Sequence, residues 1–331
     1  MGGDPRGVVH GRSATQLTYD LSRALAKGTG GRPWGPGDEV VVTELDHDAN
    51  VRPWIQAAEA SGATVRWLRL DPATADLDLT ALDDVVTERT RLVAVAGASN
   101  LLGTMPDVAR IAARAHAVGA LVHVDAVHLA AHAAIDLAAL GADLLVLSPY
   151  KLFGPHCAAL VADPALLETI RPDKLAPSTD AVPERFELGT LPYELLAGVT
   201  AAVDFLAGLG ARGGSRRERI LDAHARIHAH ELRLRGRVEE GLRALGDRLV
   251  LHSIAARRTP TLFLTPTRVD AADAYRALLA HDLLVPAGSF YAQEPFRALA
   301  TGAPGGLRIG LAAYTDDAEV DRLLAGLDAV L

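Results

Sequence analysis

The chain has 331 residues, 49% of them apolar, and a net charge of −8 at neutral pH, which suits a sizeable core spread over roughly two domains. An acidic balance with no long basic run excludes nucleic acid and anionic membrane surfaces as general partners, and no apolar run is long enough to span a bilayer. The single cysteine, Cys157, excludes an internal disulfide, and the opening "MGGDPRGVVHGRS" lacks the apolar segment of a signal peptide, so a cytoplasmic protein is expected.

The stretch "HGRSATQLTYDLSRAL" is a glycine-containing turn with hydroxyls that runs into an amphipathic helix from about Thr15. Short apolar runs then alternate with helical stretches. Strands are expected at Val40–Thr43, Thr64–Leu70, Leu92–Ala96, Leu121–Val124, Leu144–Leu147 and Ala158–Ala162. Helices are expected at Val51–Ser61, Pro106–Val118 and Leu129–Leu140, with Pro106 in a first turn and Gly119 at an end. This alternation implies an α/β fold, a mostly parallel sheet sandwiched by helices. After about Leu206 the texture changes. A glycine-rich break leads into a long charged helix, Ser215 to Leu245, in which Arg216, Arg217 and Arg219 read as a solvated face. Strand Thr261–Leu264, helix Ala271–Ala280, strand Leu307–Leu311 and helix Asp316–Val330 follow. The expected organisation is a large domain over 1–208 and a smaller α+β domain over 209–331.

Ligands of open α/β sheets sit beyond the carboxyl ends of the strands. There this sequence places Asp46-His47-Asp48, Ser99-Asn100, Asp125 with His128, and Ser148 with Lys151. Taken singly, each has a plainer reading. Asp125 suits a helix cap, Asn100 a turn, Ser148 the residue before a proline, His47 and His128 structural imidazoles, and Lys151 an exposed loop. Together they match the needs of pyridoxal phosphate. That cofactor requires a lysine for a Schiff base, a carboxylate on its ring nitrogen, a ring stacked on its face, donors on its phenolic oxygen and a phosphate cradle. Ser13, Ala14 and Thr15, at the start of a helix, suit the cradle; the Walker pattern is absent. A different set, His123, Asp125, His128 and His132, has spacing compatible with a metal-dependent hydrolase, but leaves Lys151 and Asn100 unexplained.

The motifs "DHDANVRPW", "SNLLGT", "HVDAVHLAAHAAIDLAALGADLLVLSPYKLFGP" and "RFELGTLPYELLAG" resemble those of fold-type I pyridoxal-phosphate enzymes, in the class V aminotransferase, cysteine desulfurase-like group. The resemblance runs to "LRIGLAAYTDDAEVDRLL". It implies that Lys151 carries the cofactor, Asp125 pairs its ring nitrogen and His47 stacks on it. Asn100 and His128 stand near the phenolic oxygen. Ser13, Ala14, Thr15 and Ser148 hold the phosphate, and Tyr150 replaces a histidine usual before the lysine. Thr190 reaches the phosphate of a neighbouring subunit, hence a homodimer. Arg308 clamps the α-carboxylate of a small amino-acid substrate. Two features depart from the pattern. Members carry further residues before the phosphate loop, so the chain reads as a truncated, degenerate or shortened member, and a weak or inactive cofactor-binding dimer is the alternative to an enzyme. Desulfurases also carry a nucleophilic cysteine before the carboxylate-binding arginine, where "VPAGSFYAQEPF" has none; Cys157 reads as core. The expected chemistry is therefore transamination, β-elimination or racemisation, with persulfide-type desulfuration disfavoured.

Overall fold

The computed structural model describes residues 1–331. Its strands are β1 (Val8–Gly11), β2 (Glu39–Thr43), β3 (Thr64–Leu68), β4 (Leu70–Asp71), β5 (Asp76–Leu77), β6 (Thr90–Ala96), β7 (Leu121–Asp125), β8 (Leu144–Leu147), β9 (Ala158–Ala162), β10 (Leu249–Leu251), β11 (Thr261–Pro266), β12 (Ala287–Gly288) and β13 (Gly306–Gly310). The helices are α1 (Ala14–Ala26), α2 (Arg52–Ser61), α3 (Leu82–Val85), α4 (Val108–Ala117), α5 (Leu129–His132), α6 (Leu137–Leu140), α7 (Pro164–Thr169), α8 (Tyr193–Gly208), α9 (Arg216–Ala244), α10 (Ala271–Leu279), α11 (Gln293–Ala298) and α12 (Asp317–Val330). No helix is long and apolar enough to cross a membrane.

Seven strands form one sheet in the order β1-β9-β8-β7-β6-β2-β3. The pairs β3–β2, β2–β6, β6–β7 and β7–β8 are parallel, while β8–β9 and β9–β1 are antiparallel. Alternate residues of the central strands enter different cores. Val41, Val93, Val95, Val122, Val124 and Leu145 pack on one face. Val40, Val42, Leu92, Ala94, Leu144 and Val146 pack on the other with Trp54 and α1. Both faces are therefore covered, which is why these strands read as continuous apolar runs.

A four-stranded sheet, β10-β11-β13-β12, carries the C-terminal part. Its Leu262 and Leu264 join α9, α10 and α12 in a third core. Between them Phe263 points the other way and belongs to a large-sheet core. β11 is thus buried on both faces, and it ties the small sheet to the large one.

Several boundaries differ from the sequence reading. The expected helix Leu129–Leu140 is two short helices, because Asp136 is extended and caps the N-terminus of α6 by accepting from Ala139 N–H. The expected helix Pro106–Val118 is α4, which Asp107 caps by accepting from Arg110 N–H, so Pro106 lies outside it. Expected strand Thr64–Leu70 breaks at Arg69. β1, too short to register by pattern, closes the sheet edge against β9. The face with Arg216, Arg217 and Arg219 is only partly solvated: Arg217 Nη2 donates to Ile135 O at 2.9 Å. The long helix starts at a capping box, Ser215 with Glu218.

Phe263 is fully enclosed, and truncating a buried phenylalanine leaves a cavity. Phe263→Ala is expected to lower the unfolding free energy by about 3–5 kcal/mol in urea titration. A loss below about 1 kcal/mol would mean that the small sheet does not pack on the large core.

Candidate active site

Four parallel strands deliver side chains to one edge. After β2, Asp46 is fully buried and accepts from Asn50 Nδ2 at 2.6 Å and from the Thr43 hydroxyl. Asn50 Oδ1 in turn accepts from Trp54 Nε1 at 3.0 Å and from His123 Nδ1 at 2.9 Å. This network holds the turn on which His47 sits. His47 Nδ1 accepts from Ala49 N–H at 3.0 Å, which leaves the ring proton on Nε2. Its face stacks against Tyr291, with centroids 5.6 Å apart.

β7 ends in Asp125. One of its oxygens accepts from Val127 N–H at 2.8 Å, a local turn and not a helix cap, since α5 begins at Leu129 with no side-chain cap; this takes only half of the carboxylate. β8 ends before Ser148, which opens a 3-10 turn over Pro149–Lys151. That turn lifts Lys151 over the strand mouth. β6 leads to Asn100, whose Nδ2 donates to Phe290 O at 2.8 Å while its Oδ1 is buried with no partner. Opposite, Ser13 caps α1 through Gln16 N–H, and the first-turn N–H groups have no intrahelical acceptor.

Ser13, Ala14, Thr15, His47, Asn100, Asp125, His128, Ser148, Tyr150 and Lys151 all line one cleft of about 550 Å³. Ala49, Ala96, Ala98 and Val127 complete its lining. Arg308 and Thr190 do not line it. Arg308 is held just outside, its guanidinium 4.1 Å from the Phe290 ring centroid and its Nη1 donating to Asn100 O at 3.0 Å. Thr190 is exposed. Tyr150 stacks on His156 at 4.9 Å. A larger cavity of about 1180 Å³ lies under α8 and α9, but its lining holds no lysine or carboxylate. Size therefore does not locate the chemistry here.

Burial sets the electrostatics of the cleft. It lowers the Lys151 pKa, an effect that Arg308 reinforces and the Asp125 charge opposes. It raises Asp125 against the pull of the Val127 N–H, His47 and Lys151. It lowers His47, with Lys151 and Arg308 adding to the effect while Asp125 and Asp48 oppose it. It also holds His128 well below the usual imidazole range, with help from His132, Lys151 and Arg308.

The four residues of the metal arrangement do not converge. His123 faces Asn50 and the Trp54 edge, His128 faces Thr259 and Thr261, and His132 faces Glu231. No group of three or more histidine, cysteine or acidic side chains could hold a metal ion. Sequence reasoning missed Asn50, Thr259 and Thr261. Asn50 stands in the quoted motif "DHDAN", so a signal was present; the threonines carry none, Thr259 lying in a loop before Pro260 and Thr261 opening an ordinary strand run.

Residues 8–323 match the family model described as aminotransferase class-V. The chain is similar to a cysteine desulfurase of Dickeya dadantii, 31% identical over 97% of this chain and 78% of that protein. It is equally similar to the aminotransferase-like protein FGM3 of Gibberella zeae, 31% identical over 98% of this chain and 78% of the relative. Among solved structures, the cysteine desulfurase CsdA of Escherichia coli superposes with a TM-score of 0.87 at 27% identity, covering 99% of this chain and 79% of that one.

Asp46 gives a test of the network beneath the cleft. Burial raises its pKa to about 7, against the hydrogen bonds from Thr43 and Asn50. A carboxyl whose folded pKa exceeds its unfolded value binds its proton more tightly when folded. The stability it contributes is thus present at low pH and lost as pH rises from about 4 towards that folded value. Asp46→Asn does not titrate. The stability of the natural chain relative to this variant should therefore fall between about pH 4 and about pH 7, as read by urea titration. A difference that stays constant across that range sinks the assignment.

Proposed function

The chain belongs to the class-V aminotransferase family, and we propose that it acts at the α-carbon of a small amino acid, with Lys151 holding a pyridoxal phosphate cofactor. One observation carries this reading: a half-buried amine and a buried carboxylate, Lys151 and Asp125, converge on a single cleft at the strand ends.

The residues fit that cofactor. Lys151, its pKa lowered by burial, offers its amine to an aldehyde. Asp125 keeps an oxygen free of protein partners for a ring N–H. His47 offers a flat face. Asn100 offers a buried, unpartnered oxygen, and His128 a second polar group. The first turn of α1 at Ser13, Ala14 and Thr15, with the Ser148 hydroxyl, suits a phosphate. Bound there, pyridoxal phosphate supplies an electron sink for the bonds at Cα.

The protein's own part follows from these positions. The Asp125 charge keeps the ring nitrogen protonated. Lys151 Nζ accepts the α-proton, a role helped by its lowered pKa. His47 covers one ring face and keeps water from it. Arg308 receives the α-carboxylate on the N–H groups that Asn100 O does not use, a two-point contact suited to a guanidinium. Transamination, β-elimination and racemisation all begin with that loss of a proton. Under this reading residues 1–208 bind the cofactor, residues 209–331 close over it, and the working form is a cytoplasmic homodimer. Exposed Thr190 lies between exposed Leu188 and Tyr193, a face that a second copy would cover.

Desulfuration through a persulfide is not supported, although several relatives bear that name. The segment from Ser289 to Tyr291 offers no thiol. Cys157 is buried just before β9, with its pKa raised by burial, which makes it a poor nucleophile.

Three outcomes are expected. Borohydride reduction of protein mixed with pyridoxal phosphate should fix the pyridoxyl mass on Lys151 by peptide mapping; a modified lysine elsewhere removes Lys151 from its role. Asp125→Asn should fold and lose turnover by roughly a hundredfold or more, and unchanged turnover would contradict the ring-nitrogen pairing. Arg308→Lys should weaken amino-acid binding about tenfold to a hundredfold, while cysteine treatment leaves no protein persulfide. A stoichiometric, turnover-competent persulfide on Cys157 would overturn this account.

A further inference from the structure

We infer that Thr259 and Thr261 set the tautomer of His128, so that Nε2 accepts a hydrogen bond and Nδ1 presents an N–H to the cleft. The inference rests on the proposed function for what that N–H meets, a phenolic or phenolate oxygen of the cofactor, but not for the tautomer itself.

His128 Nε2 lies 2.9 Å from Thr259 Oγ1 and 3.1 Å from Thr261 Oγ1. Both threonines are buried, and neither hydroxyl makes another side-chain hydrogen bond. Were the proton on Nε2, it would donate to these oxygens and leave both hydroxyl hydrogens buried without an acceptor. A lone pair on Nε2 receives at least one of them, which avoids that desolvation penalty. Burial holds the ring neutral, and a neutral imidazole carries its single proton on the other nitrogen. Nδ1 has no protein partner and is not sealed off by protein, while His128 lines the cleft. The donor is therefore offered to the ligand space.

The backbone fixes the two hydroxyls. Thr261 shares a face of β11 with Phe263, which is anchored in the large core. Thr259 N–H donates to Gly103 O at 2.9 Å, beside an antiparallel bridge between Thr104 and Arg258. Gly103 makes this approach possible. It has φ +75°, and a Cβ there would lie 2.8 Å from Thr261 O and 2.9 Å from Thr259 Oγ1. The small sheet thus reaches across to orient a side chain of the large one. Thr259 and Thr261 are positioning residues, since they act through His128.

The test is long-range proton–nitrogen NMR on cofactor-free protein labelled with ¹⁵N-histidine, with His128→Gln identifying the His128 signals. The natural chain should show a protonated Nδ1 and an unprotonated Nε2. The near-isosteric double variant Thr259→Val, Thr261→Val should lose that pattern and bind pyridoxal phosphate about tenfold more weakly. Thr261→Ser, which keeps the hydroxyl, should retain both properties. Should the double variant fail to fold, Thr259→Val alone should shift the nitrogen signals in the same direction. A protonated Nε2 in the natural chain, or unchanged signals in the valine variants, overturns the inference. The expected tautomer in a protein that takes up no pyridoxal phosphate leaves the inference standing and counts against the proposed function instead.

Discussion

Asp125 is buried and Lys151 half-buried at one cleft, and the rest of the architecture can be understood as what allows this. Burial drives both towards neutrality, the amine downward in pKa and the carboxyl upward, while their opposite charges resist the drift. Such a pair persists only when the surrounding backbone leaves it nowhere else to go. The parallel sheet provides that constraint. β7 and β8 are neighbours with matched register, Asp125 opposite Val146, so their carboxyl ends must open at one place.

Around this pair the polar groups are arranged in two tiers. Beneath the cleft, Asp46, Asn50, Trp54 and His123 bond to one another and fix the turn bearing His47. Across the cleft, the small sheet supplies the second tier. Thr259 and Thr261 hold His128, Phe290 O holds Asn100, and Arg308 spans Asn100 and the Phe290 ring. Phe290 and Tyr291 both adopt positive φ, 57° each, a conformation disfavoured for bulky side chains. The surrounding contacts compensate: Asp48 N–H donates to Tyr291 O at 2.7 Å, and Tyr291 lies on His47. The segment where the resemblance places a nucleophilic cysteine is here a strained, bonded segment beside the cleft, held to Asn100 and His47.

Two parts of the fold contribute to this arrangement. The lysine, the carboxylate and the helix start belong to the sheet edge and follow from the fold. Ser289, Phe290 and Tyr291, and the threonine pair that holds His128, come from the C-terminal part. Under the proposed function, these contacts from the C-terminal part bear on reaction type more than the sheet does.

The sequence by itself determined the α/β alternation, the strands β2, β3, β6, β7, β8 and β9 within a few residues, and the polar set at their carboxyl ends, Lys151 and Asp125 among them. These were legible because each depends on local periodicity or on the rule that ligands sit at strand ends. Cross-chain contacts were decided only by the tertiary structure. The break between α5 and α6 reflects a cap at Asp136 that outcompetes helix propensity. The bond from Thr259 to His128 joins residues 131 apart, and that from Arg308 to Asn100 residues 208 apart. No local pattern encodes such pairs. They form because Phe263 packs the small sheet onto the large core, and burial then requires each polar group brought inside to find a partner.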